Sequence, residues 1–308
     1  MRVAVVDIGS NSIKLLVAAR APDGRLLEVR SRALEVRISR GIGSAEPRLE
    51  VEGMKQGIAA IAALVAEARG LGAAAIVAVA TSAVRDASNG AEFRDRTRSA
   101  TGLELRILTG LEEANFIGRG LMTDPALAGL GDFDVFDLGG GSLECLSFRG
   151  RAVERAVSLP LGCVRMTERF VPDPTAPFGG ATARAIRQHV RDALLGSGFP
   201  LPVPPGAAVV GTGGTLATVR AMVGEERAAP LVPGHPLIEV AQLRRTLARV
   251  EILDLAARRR MPGLPAARAD VFPAALATLL ALAEVGAFES FHYSLHNLRW
   301  GVAAECLG

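Results

Sequence analysis

Short apolar runs, broken by glycine and small polar residues, dominate the start of the chain, and this pattern is typical of β-hairpins. One such stretch, VVDIGSNSIKLLV, spans residues 5–17, and a near copy, VFDLGGGSLECLS, spans residues 135–147. Each copy then reaches a second turn, at residues 22–29 in the first and at residues 148–157 in the second. Because both turns repeat in the same order, we expect two related three-stranded meanders and therefore two related domains.

The pattern after the first meander changes to an alternation of helices and strands. Residues 51–69 have apolar positions at helical spacing and are followed by Gly70, which we expect to cap the C-terminus of this helix. Buried strands are predicted at residues 74–80 and 103–108, and helices within residues 81–102 and at residues 111–121.

The second half is less regular beyond its meander. Residues 158–170 lead into a helix, residues 182–195 are helical, and residues 207–222 have the pattern of a strand, a glycine turn and a helix. The proline-rich residues 199–206 are predicted to form a loop, and residues 274–285 a long apolar helix. The longest apolar stretch, residues 271–283, is shorter than the roughly 20 residues that a membrane span needs, so no membrane association is expected.

Composition limits the class of protein. A chain of 308 residues is long enough for two domains, and no targeting segment precedes the first strand, so a cytoplasmic protein is expected. The net charge is only +3 and no basic run with interleaved aromatic residues occurs, so nucleic acid is not an expected partner. The three cysteines form no C-x-x-C pair and are interpreted as buried small hydrophobic residues. His292 and His296 lack a third metal ligand and are interpreted as structural.

The paired meanders predict a fold class. Two β-meander-plus-helix domains that face each other across a cleft form the α/β superfold of actin, Hsp70 and sugar kinases, which is built from ribonuclease-H-like domains. We expect domains at residues 1–118 and 119–308, with a C-terminal helix at about residues 297–308 that packs back on the first. In this architecture the backbone N–H groups of the two glycine turns hold a phosphate chain from both sides.

The segment DLGGGS at residues 137–142 carries the strongest chemical signal. Its three glycines let the backbone approach an anion closely, and Ser142 adds a hydroxyl donor. Asp137 and Glu144 have the oxygen ligands that a hard divalent cation prefers. The alternative is a plain glycine-rich hairpin turn.

Three further features have both a chemical and a structural interpretation. The segment GTGGT at residues 211–215 lies between a strand and a helix, where N–H groups favour an anion, although such turns are common. Arg85 either clamps a phosphate or pairs with the adjacent Asp86. Glu112 and Glu113 open a helix, where carboxylates often only complement the helix dipole.

Taken in order, the segments DIGSNSIKLLV, ATSAVRDASNGAEF, TGLEEANFIG, DLGGGSLE, SLPLGCVRMTERF and GTGGT resemble the exopolyphosphatase and guanosine pentaphosphate phosphohydrolase family over nearly the whole chain. The resemblance implies that Glu113 positions or deprotonates the attacking water and that Arg85 takes part in catalysis by binding phosphate. It implies that Asp137 and Glu144 hold Mg²⁺ or Mn²⁺, and that the protein is a homodimer. The phosphate-binding residues that it implies are Ser10, Asn11, Ser12, Gly139, Gly140, Gly141, Ser142, Gly213, Gly214 and Thr215.

Three segments depart from the family pattern. Leu143 stands where the family usually has Thr, residues 273–275 replace a glycine-containing segment, and the HNLRWG stretch around Asn297 replaces a GLREG-like one. The chain resembles the short two-domain members, so we expect a Mg²⁺-dependent exopolyphosphatase that releases terminal orthophosphate from inorganic polyphosphate and favours short chains. A guanosine pentaphosphate phosphohydrolase, a small-molecule kinase of the same superfold and an actin-like nucleotide-binding scaffold are the alternatives.

Overall fold

The structure, a computed structural model, describes residues 1–226 and 237–308, apart from the side chains of residues 225 and 226. These residues form two compact units, which comprise Met1–Ala128 with His296–Gly308, and Gly129–Leu295. The domain boundary expected after residue 118 falls within a helix of the first unit, whereas the division in the structure follows Ala128.

The first unit opens with the predicted meander and continues with alternating helices and strands. Its sheet has the strand order β3-β2-β1-β4-β5, in which β1, β2 and β3 are antiparallel and β1, β4 and β5 are parallel. The elements are β1 (Arg2–Ile8), β2 (Ser12–Arg20), β3 (Leu26–Glu35), α1 (Val51–Gly70), β4 (Ala75–Ala80), α2 (Ser82–Arg85), α3 (Gly90–Thr101), β5 (Leu105–Ile107) and α4 (Gly110–Leu121).

The second unit repeats this arrangement and adds one strand. Its sheet has the order β10-β11-β9-β6-β7-β8, so that β8-β7-β6-β9-β11 corresponds to the whole sheet of the first unit. The elements are β6 (Phe133–Leu138), β7 (Leu143–Arg149), β8 (Ala152–Leu159), α5 (Cys163–Phe170), α6 (Gly180–Gly196), β9 (Ala208–Thr212), α7 (Gly214–Glu226), β10 (Leu237–Glu239), α8 (Val240–Val250), α9 (Leu255–Arg258), α10 (Phe272–Gly286) and β11 (Ser290–Tyr293).

The repeat extends to the register of the strands. Asp7 pairs with Lys14 across the first hairpin, and Asp137 pairs with Glu144 at the equivalent place in the second. The pairing of β2 with β3 shifts register between Val17 and Ala18, and the pairing of β7 with β8 shifts register between Ser147 and Phe148, at equivalent positions. The α/β fold with two related ribonuclease-H-like units of the actin type is therefore confirmed.

Most of the predicted helices and strands are present, with two corrections. The segment 81–102 contains two helices, α2 and α3, because the chain breaks between Arg85 and Gly90. Gly70 is the last residue of α1 and does not cap it; Gly72 takes the left-handed conformation, with φ of 71°. The elements β10, β11, α8 and α9 were not predicted, although α8 buries apolar residues at helical spacing.

The predicted apolar helix is α10, which begins with Pro273 in its first turn and is buried almost all around, as expected for a helix in the core of a unit. Within the described residues, no helix has the length and apolar character needed to cross a membrane. Of the departures from the family pattern, Leu143 begins β7, and Pro273 to Ala275 lie in the first turn of α10; all of these residues are buried.

The structure agrees with the interpretations of Cys145, Cys163 and His296 but not with that of Cys306, and the structural role of His292 stays a prediction. Cys145 and Cys163 are buried, and burial raises the pKa of the Cys145 thiol, but Cys306 is only half-buried. The ring of His296 stacks on Trp300 with centroids 3.8 Å apart, and its Nδ1 lies 2.8 Å from the hydroxyl of Thr123. These contacts give His296 a structural role.

The C-terminal helix α11 (Leu298–Leu307) packs on α4 within the first unit. The two helices touch through glycines: a methyl group on Gly301 would lie 1.9 Å from the carbonyl oxygen of Phe116, and one on Gly120 would lie 2.1 Å from that of Asn297. The backbones therefore approach too closely for any side chain.

Gly301→Ala is expected to lower the free energy of unfolding by about 1–3 kcal/mol, because overpacking forces the two helices apart. Gly70→Ala is the matched control: Gly70 also lies in a helix of this unit, and a methyl group there meets no atom within 4 Å. This control should be neutral or stabilising by up to about 1 kcal/mol. Thermal unfolding of both variants measures the difference, and equal melting temperatures would show that the glycine contact is not needed.

Candidate active site

The buried Glu113 forms an ion pair with the partly exposed Arg85 in the first unit. Arg85 Nη1 donates to Glu113 Oε2 at 2.7 Å and to the carbonyl oxygen of Leu108 at 3.1 Å, and Arg85 Nε donates to Asp86 at 3.3 Å. The Glu113 side chain is only 9% exposed. The predicted pairing of Arg85 with Asp86 is thus present, together with a bond to Glu113 that was not predicted, and phosphate binding by Arg85 stays a prediction.

Glu112 has different hydrogen-bond partners from Glu113. It forms a capping box with Thr109, whose backbone N–H and hydroxyl both donate to Glu112 Oε2 at 2.9 Å. Arg106 donates to its other oxygen at 2.7 Å. The hydrogen bonds from Arg106 and Thr109 lower the pKa of Glu112 to about 2. Adjacent helical residues point about 100° apart, so Glu112 caps α4 at the surface while Glu113 points into the buried side.

The turn between β1 and β2 is held from behind by the chain that follows β3. The carbonyl oxygen of Ser10 accepts from the N–H and hydroxyl of Ser39, and that of Asn11 accepts from the N–H of Arg37 at 2.9 Å. The Asn11 amide donates to Glu35 and accepts from Arg37 Nε at 3.0 Å. Because Glu35 and Arg37 already engage this side chain, the backbone N–H is the group that Asn11 best offers to an anion.

The turn between β6 and β7 is held in the same way, from behind, by the start of α5. The N–H of Cys163 donates to the carbonyl oxygen of Gly139 at 3.0 Å, and that of Val164 donates to Gly140 at 2.8 Å. Arg165 Nε donates to the carbonyl oxygen of Gly141 at 2.9 Å. All three glycine carbonyl oxygens therefore point toward α5.

The direction of these carbonyl groups sets the direction of the N–H groups. In a trans peptide the C=O of one residue points opposite to the N–H of the next. The N–H groups of Gly140, Gly141 and Ser142 therefore all point away from α5, and none donates to another group among the described residues. Three successive N–H groups on one side of a turn form a concave site for an anion.

Asp137 and Glu144 lie directly opposite each other across β6 and β7, so their side chains share one face of the sheet. Both are buried, with 9% and 2% of each residue exposed, and the hydroxyl of Ser158 donates to Glu144 Oε1 at 2.8 Å. At the equivalent place in the first unit Asp7 faces Lys14 instead. Burial raises the pKa of Asp7, and the charges of Lys14 and Arg299 act against that rise. Only the second unit thus has a pair of facing carboxylates here.

The turn after β9 adjoins the carboxylate of Asp137. Gly213 has φ of 98°, and a methyl group there would lie 2.7 Å from Asp137 Oδ1 and 2.8 Å from the carbonyl oxygen of Leu138. The hydroxyls of Thr212 and Thr215 are buried on either side of this turn and have no partner among the described residues. The turn and the carboxylate therefore form one polar cluster.

Sequence analysis missed Arg268, which packs on the same turn. A methyl group on Gly214 would lie 2.3 Å from Arg268 Nη1 and 2.7 Å from Cζ, so the guanidinium lies directly against the start of α7. Arg268 is 9% exposed, its Nε has no partner, and no salt bridge to a described residue is found. The one sequence signal was an isolated arginine just before the apolar helix α10.

The structure thus brings the predicted residues into two sets. The first unit holds Arg85 with Glu113, and separately the turn of Ser10, Asn11 and Ser12, where the hydroxyl of Ser10 lies 3.3 Å from that of Ser82. The second unit brings together the Gly139–Ser142 turn, Asp137, Glu144 and the Gly213–Thr215 turn, and it adds Arg268, which was not predicted. The roles of these residues in binding or catalysis stay predictions.

Comparison with known proteins places this geometry in a family. The sequence model of the Ppx/GppA phosphatase family matches residues 16–308. Exopolyphosphatase 2 of Mycobacterium tuberculosis is 31% identical over an alignment of 328 residues, which covers 100% of this chain and 99% of that protein. An uncharacterized protein of Streptomyces coelicolor is 31% identical over 277 residues, with 87% and 79% covered.

Solved structures of similar proteins support the same family assignment. The Aquifex aeolicus member of the Ppx/GppA family superimposes with a TM-score of 0.79 and 25% identity, covering 100% of this chain and 97% of that one. An exopolyphosphatase from Cytophaga hutchinsonii, only 20% identical, shares the fold with a TM-score of 0.88 over 100% and 98% of the two chains. The resemblance inferred from the ordered motifs is thereby confirmed, and this chain belongs to the Ppx/GppA phosphatase family.

Proposed function

We propose that the protein is an exopolyphosphatase that hydrolyses the terminal phosphoanhydride bond of inorganic polyphosphate and releases orthophosphate. The observation that carries this proposal is the second unit's glycine turn, whose three N–H groups point to one side while Asp137 and Glu144 face each other at its base. Relatives named exopolyphosphatase that align over nearly their whole length support the same substrate.

The general base in this proposal is Glu113 of the first unit. Glu113 orients a water molecule and accepts its proton as the water oxygen attacks the terminal phosphorus and the bridging P–O bond breaks. The charge-assisted bond from Arg85 at 2.7 Å fixes the direction of the carboxylate. The shortened polyphosphate leaves with the bridging oxygen, and no covalent intermediate with the protein is needed.

The turns supply most of the binding. Phosphoryl transfer gains most from positioning and from neutralising the charge on the phosphoryl oxygens. We assign this role to the N–H groups of Asn11 and Ser12 in the first unit, and to those of Gly140, Gly141 and Ser142 in the second. Arg268 and the Thr215 hydroxyl add a cation and a donor at the Gly213–Thr215 turn.

The residues of the second unit fit a divalent cation. Asp137 and Glu144 present carboxylate oxygens from one face of the sheet, and the Thr212 hydroxyl lies at the adjacent turn. Two facing carboxylates suit Mg²⁺, which proteins hold through one or two carboxylates while substrate phosphates and water complete the shell. When bound, Mg²⁺ would neutralise phosphate charge.

The alternatives differ in product. A kinase of the same superfold would transfer phosphate from ATP to an acceptor, and a scaffold would bind nucleotide with no turnover of polyphosphate. The test is to incubate the protein and Mg²⁺ with polyphosphate, with guanosine pentaphosphate, and with ATP plus a panel of sugars. Orthophosphate release from polyphosphate without phosphorylation of any acceptor supports the proposal, and acceptor phosphorylation contradicts it.

The same assay over a series of polymer lengths tests the preference for short chains that sequence analysis predicts. We expect catalytic efficiency for short polymers to be at least equal to that for long ones, and guanosine pentaphosphate to be a poor substrate. A steady rise of efficiency with polymer length would contradict this part of the proposal and leave the reaction type intact. The homodimer and the cytoplasmic location also stay predictions, and analytical ultracentrifugation tests the first.

Asp137→Asn is expected to raise the Mg²⁺ concentration needed for half-maximal activity by about tenfold or more, because a hard cation loses a charged ligand. Asp132→Asn is the control, since Asp132 lies near the other end of the same hairpin, is exposed, and accepts the N–H of Gly150 through an oxygen that asparagine keeps. Titrations of activity with Mg²⁺ measure both variants. An unchanged Mg²⁺ requirement in Asp137→Asn would show that Asp137 is not a metal ligand.

A further inference from the structure

We propose that Arg165 is a positioning residue that aims the N–H of Ser142 at the bound phosphate. This inference deepens the proposed function and rests on it, because it concerns how the phosphate turn of the second unit is held. Arg165 is half-buried in the first turn of α5 and was not among the residues that the sequence singled out.

The three carbonyl oxygens of the turn are held by donors of two kinds. Gly139 and Gly140 accept from the backbone N–H groups of Cys163 and Val164, which any residue except proline would provide at those positions. Gly141 accepts from Arg165 Nε at 2.9 Å, which is a side-chain donor. The third peptide of the turn is therefore the one whose orientation depends on the identity of a side chain.

That peptide joins Gly141 to Ser142. Since it is planar and trans, the C=O of Gly141 and the N–H of Ser142 point in opposite directions and rotate together. Glycine at position 141 leaves this rotation little restricted, because it has no Cβ. The bond from Arg165 holds the C=O toward α5 and so holds the Ser142 N–H on the side where the N–H groups of Gly140 and Gly141 point.

The first unit shows the same arrangement with a different donor. Asn11 occupies the position equivalent to Gly141, and its carbonyl oxygen accepts from the backbone N–H of Arg37 at 2.9 Å. Ser10, equivalent to Gly140, accepts from the N–H of Ser39 at 3.4 Å, and Gly140 also accepts from the N–H of Arg165 at 3.3 Å. Both units therefore hold this carbonyl in place, and in the second unit a guanidinium replaces the backbone donor.

The turn and α5 are also in direct contact, so the support is rigid. A methyl group on Gly162, the residue before α5, would lie 2.3 Å from the backbone of Gly140 and of Gly141. These atoms belong to the second peptide of the turn and to the carbonyl carbon of the third, so packing fixes their position while the bond from Arg165 fixes the direction of the Gly141 carbonyl group. Losing the Arg165 bond should free this carbonyl group to rotate and leave the first two peptides bonded to α5.

The expected effect follows from the loss of one oriented donor. A hydrogen bond to a charged group contributes about 1.5–3 kcal/mol, which corresponds to a factor of about ten or more in affinity. Arg165→Met should therefore raise the KM for polyphosphate about tenfold or more, with a smaller change in kcat. Arg165→Lys keeps a donor and should recover part of the loss.

The test follows the backbone amides of the turn by NMR as orthophosphate, the product, is added in the presence of Mg²⁺. In the wild type, the amide resonances of Gly140, Gly141 and Ser142 should all shift. In Arg165→Met, the Ser142 shift should be lost or at least halved while that of Gly140 remains. Arg169→Met is the matched control, since Arg169 lies one turn further along α5, is exposed and contacts Phe170 and His189.

The possible outcomes test the positioning role of Arg165 independently of polyphosphate hydrolysis. Arg165→Met with wild-type phosphate shifts and wild-type KM would overturn the positioning role, even where polyphosphate is hydrolysed. Equal loss of all three amide shifts, with a lower melting temperature, would also overturn it and show a merely structural arginine. Orthophosphate cannot be hydrolysed further, so a selective loss at Ser142 would uphold the inference even if the wild type failed to act on polyphosphate.

Discussion

Replacing Glu113 with glutamine is expected to lower the turnover number for polyphosphate by about 10²-fold or more, the scale of lost general-base catalysis. Glutamine keeps the size of the side chain and one carbonyl oxygen that Arg85 can still reach, but it cannot accept a proton from water. Binding should survive, because the phosphate-holding turns are unchanged. Steady-state release of orthophosphate at saturating Mg²⁺ measures turnover, and calorimetry with polyphosphate measures binding.

Glu112→Gln is the matched control for this variant. Glu112 follows the same turn and begins the same helix, but it accepts from Thr109 and Arg106 at the surface. Glutamine can take the place of glutamate at the third position of a capping box. The turnover number of Glu112→Gln should therefore stay near that of the wild type. A similar fall of the turnover number in both variants would indicate that the start of α4 has been disturbed. Full turnover in Glu113→Gln, with a loss of about 0.3–1 kcal/mol in stability, would instead make Glu113 a helix-dipole partner only.

The paired hairpins could be predicted because their signals are local. Apolar runs around Asp7 and Asp137 alternate with glycine and serine, and the turn residues fix where each strand ends. The register shifts after Val17 and Ser147 could not be predicted, because they depend on how twisted strands pair across the sheet. Their equivalent positions are additional evidence for the repeat that the sequence first suggested.

The two glutamates of α4 show where sequence reasoning stops. Helical geometry requires Glu112 and Glu113 to point about 100° apart, so only one can reach a buried site. Which one does so depends on Arg85, at the end of α2, and on Arg106, within β5, because each arginine pairs with a different glutamate. A local pattern can therefore limit the choice to one of two residues, but long-range contacts decide it.

Arg268 was missed for the same reason. It lies far along the chain from Gly214 and reaches the glycine turn only because a short 3-10 helix at Ala266–Arg268 precedes α10. No nearby residue in the sequence marks it as part of an anion site. In the structure, the signal is a buried cation whose Nε has no hydrogen-bond partner beside two buried hydroxyls in the same state.

Because the buried Arg268 has an Nε without a partner, Arg268→Met is expected to keep or raise stability while it lowers activity. Burying a charge without a partner costs free energy, and replacing it with an apolar residue of similar length removes that cost. We expect the melting temperature of the variant to equal or exceed that of the wild type, by about 2–4 °C for each kcal/mol gained. The KM for polyphosphate should rise by about 30-fold or more, since truncating one partner of a buried charge pair costs about 2–5 kcal/mol.

Arg258→Met is the matched control, because Arg258 is another buried arginine of the same unit and its Nη atoms have hydrogen-bond partners, although its Nε has none. Its guanidinium donates to the carbonyl oxygens of Ala269 at 3.1 Å, Pro174 at 2.8 Å and Ala176 at 2.9 Å. Methionine there would leave three buried acceptors without a donor, so stability should fall. If Arg268→Met unfolded as easily as Arg258→Met and kept the wild-type KM, both arginines would be structural. Opposite signs in melting temperature, with the rise in KM confined to Arg268→Met, would instead mean that Arg268 is kept at a cost in stability because phosphate is its partner.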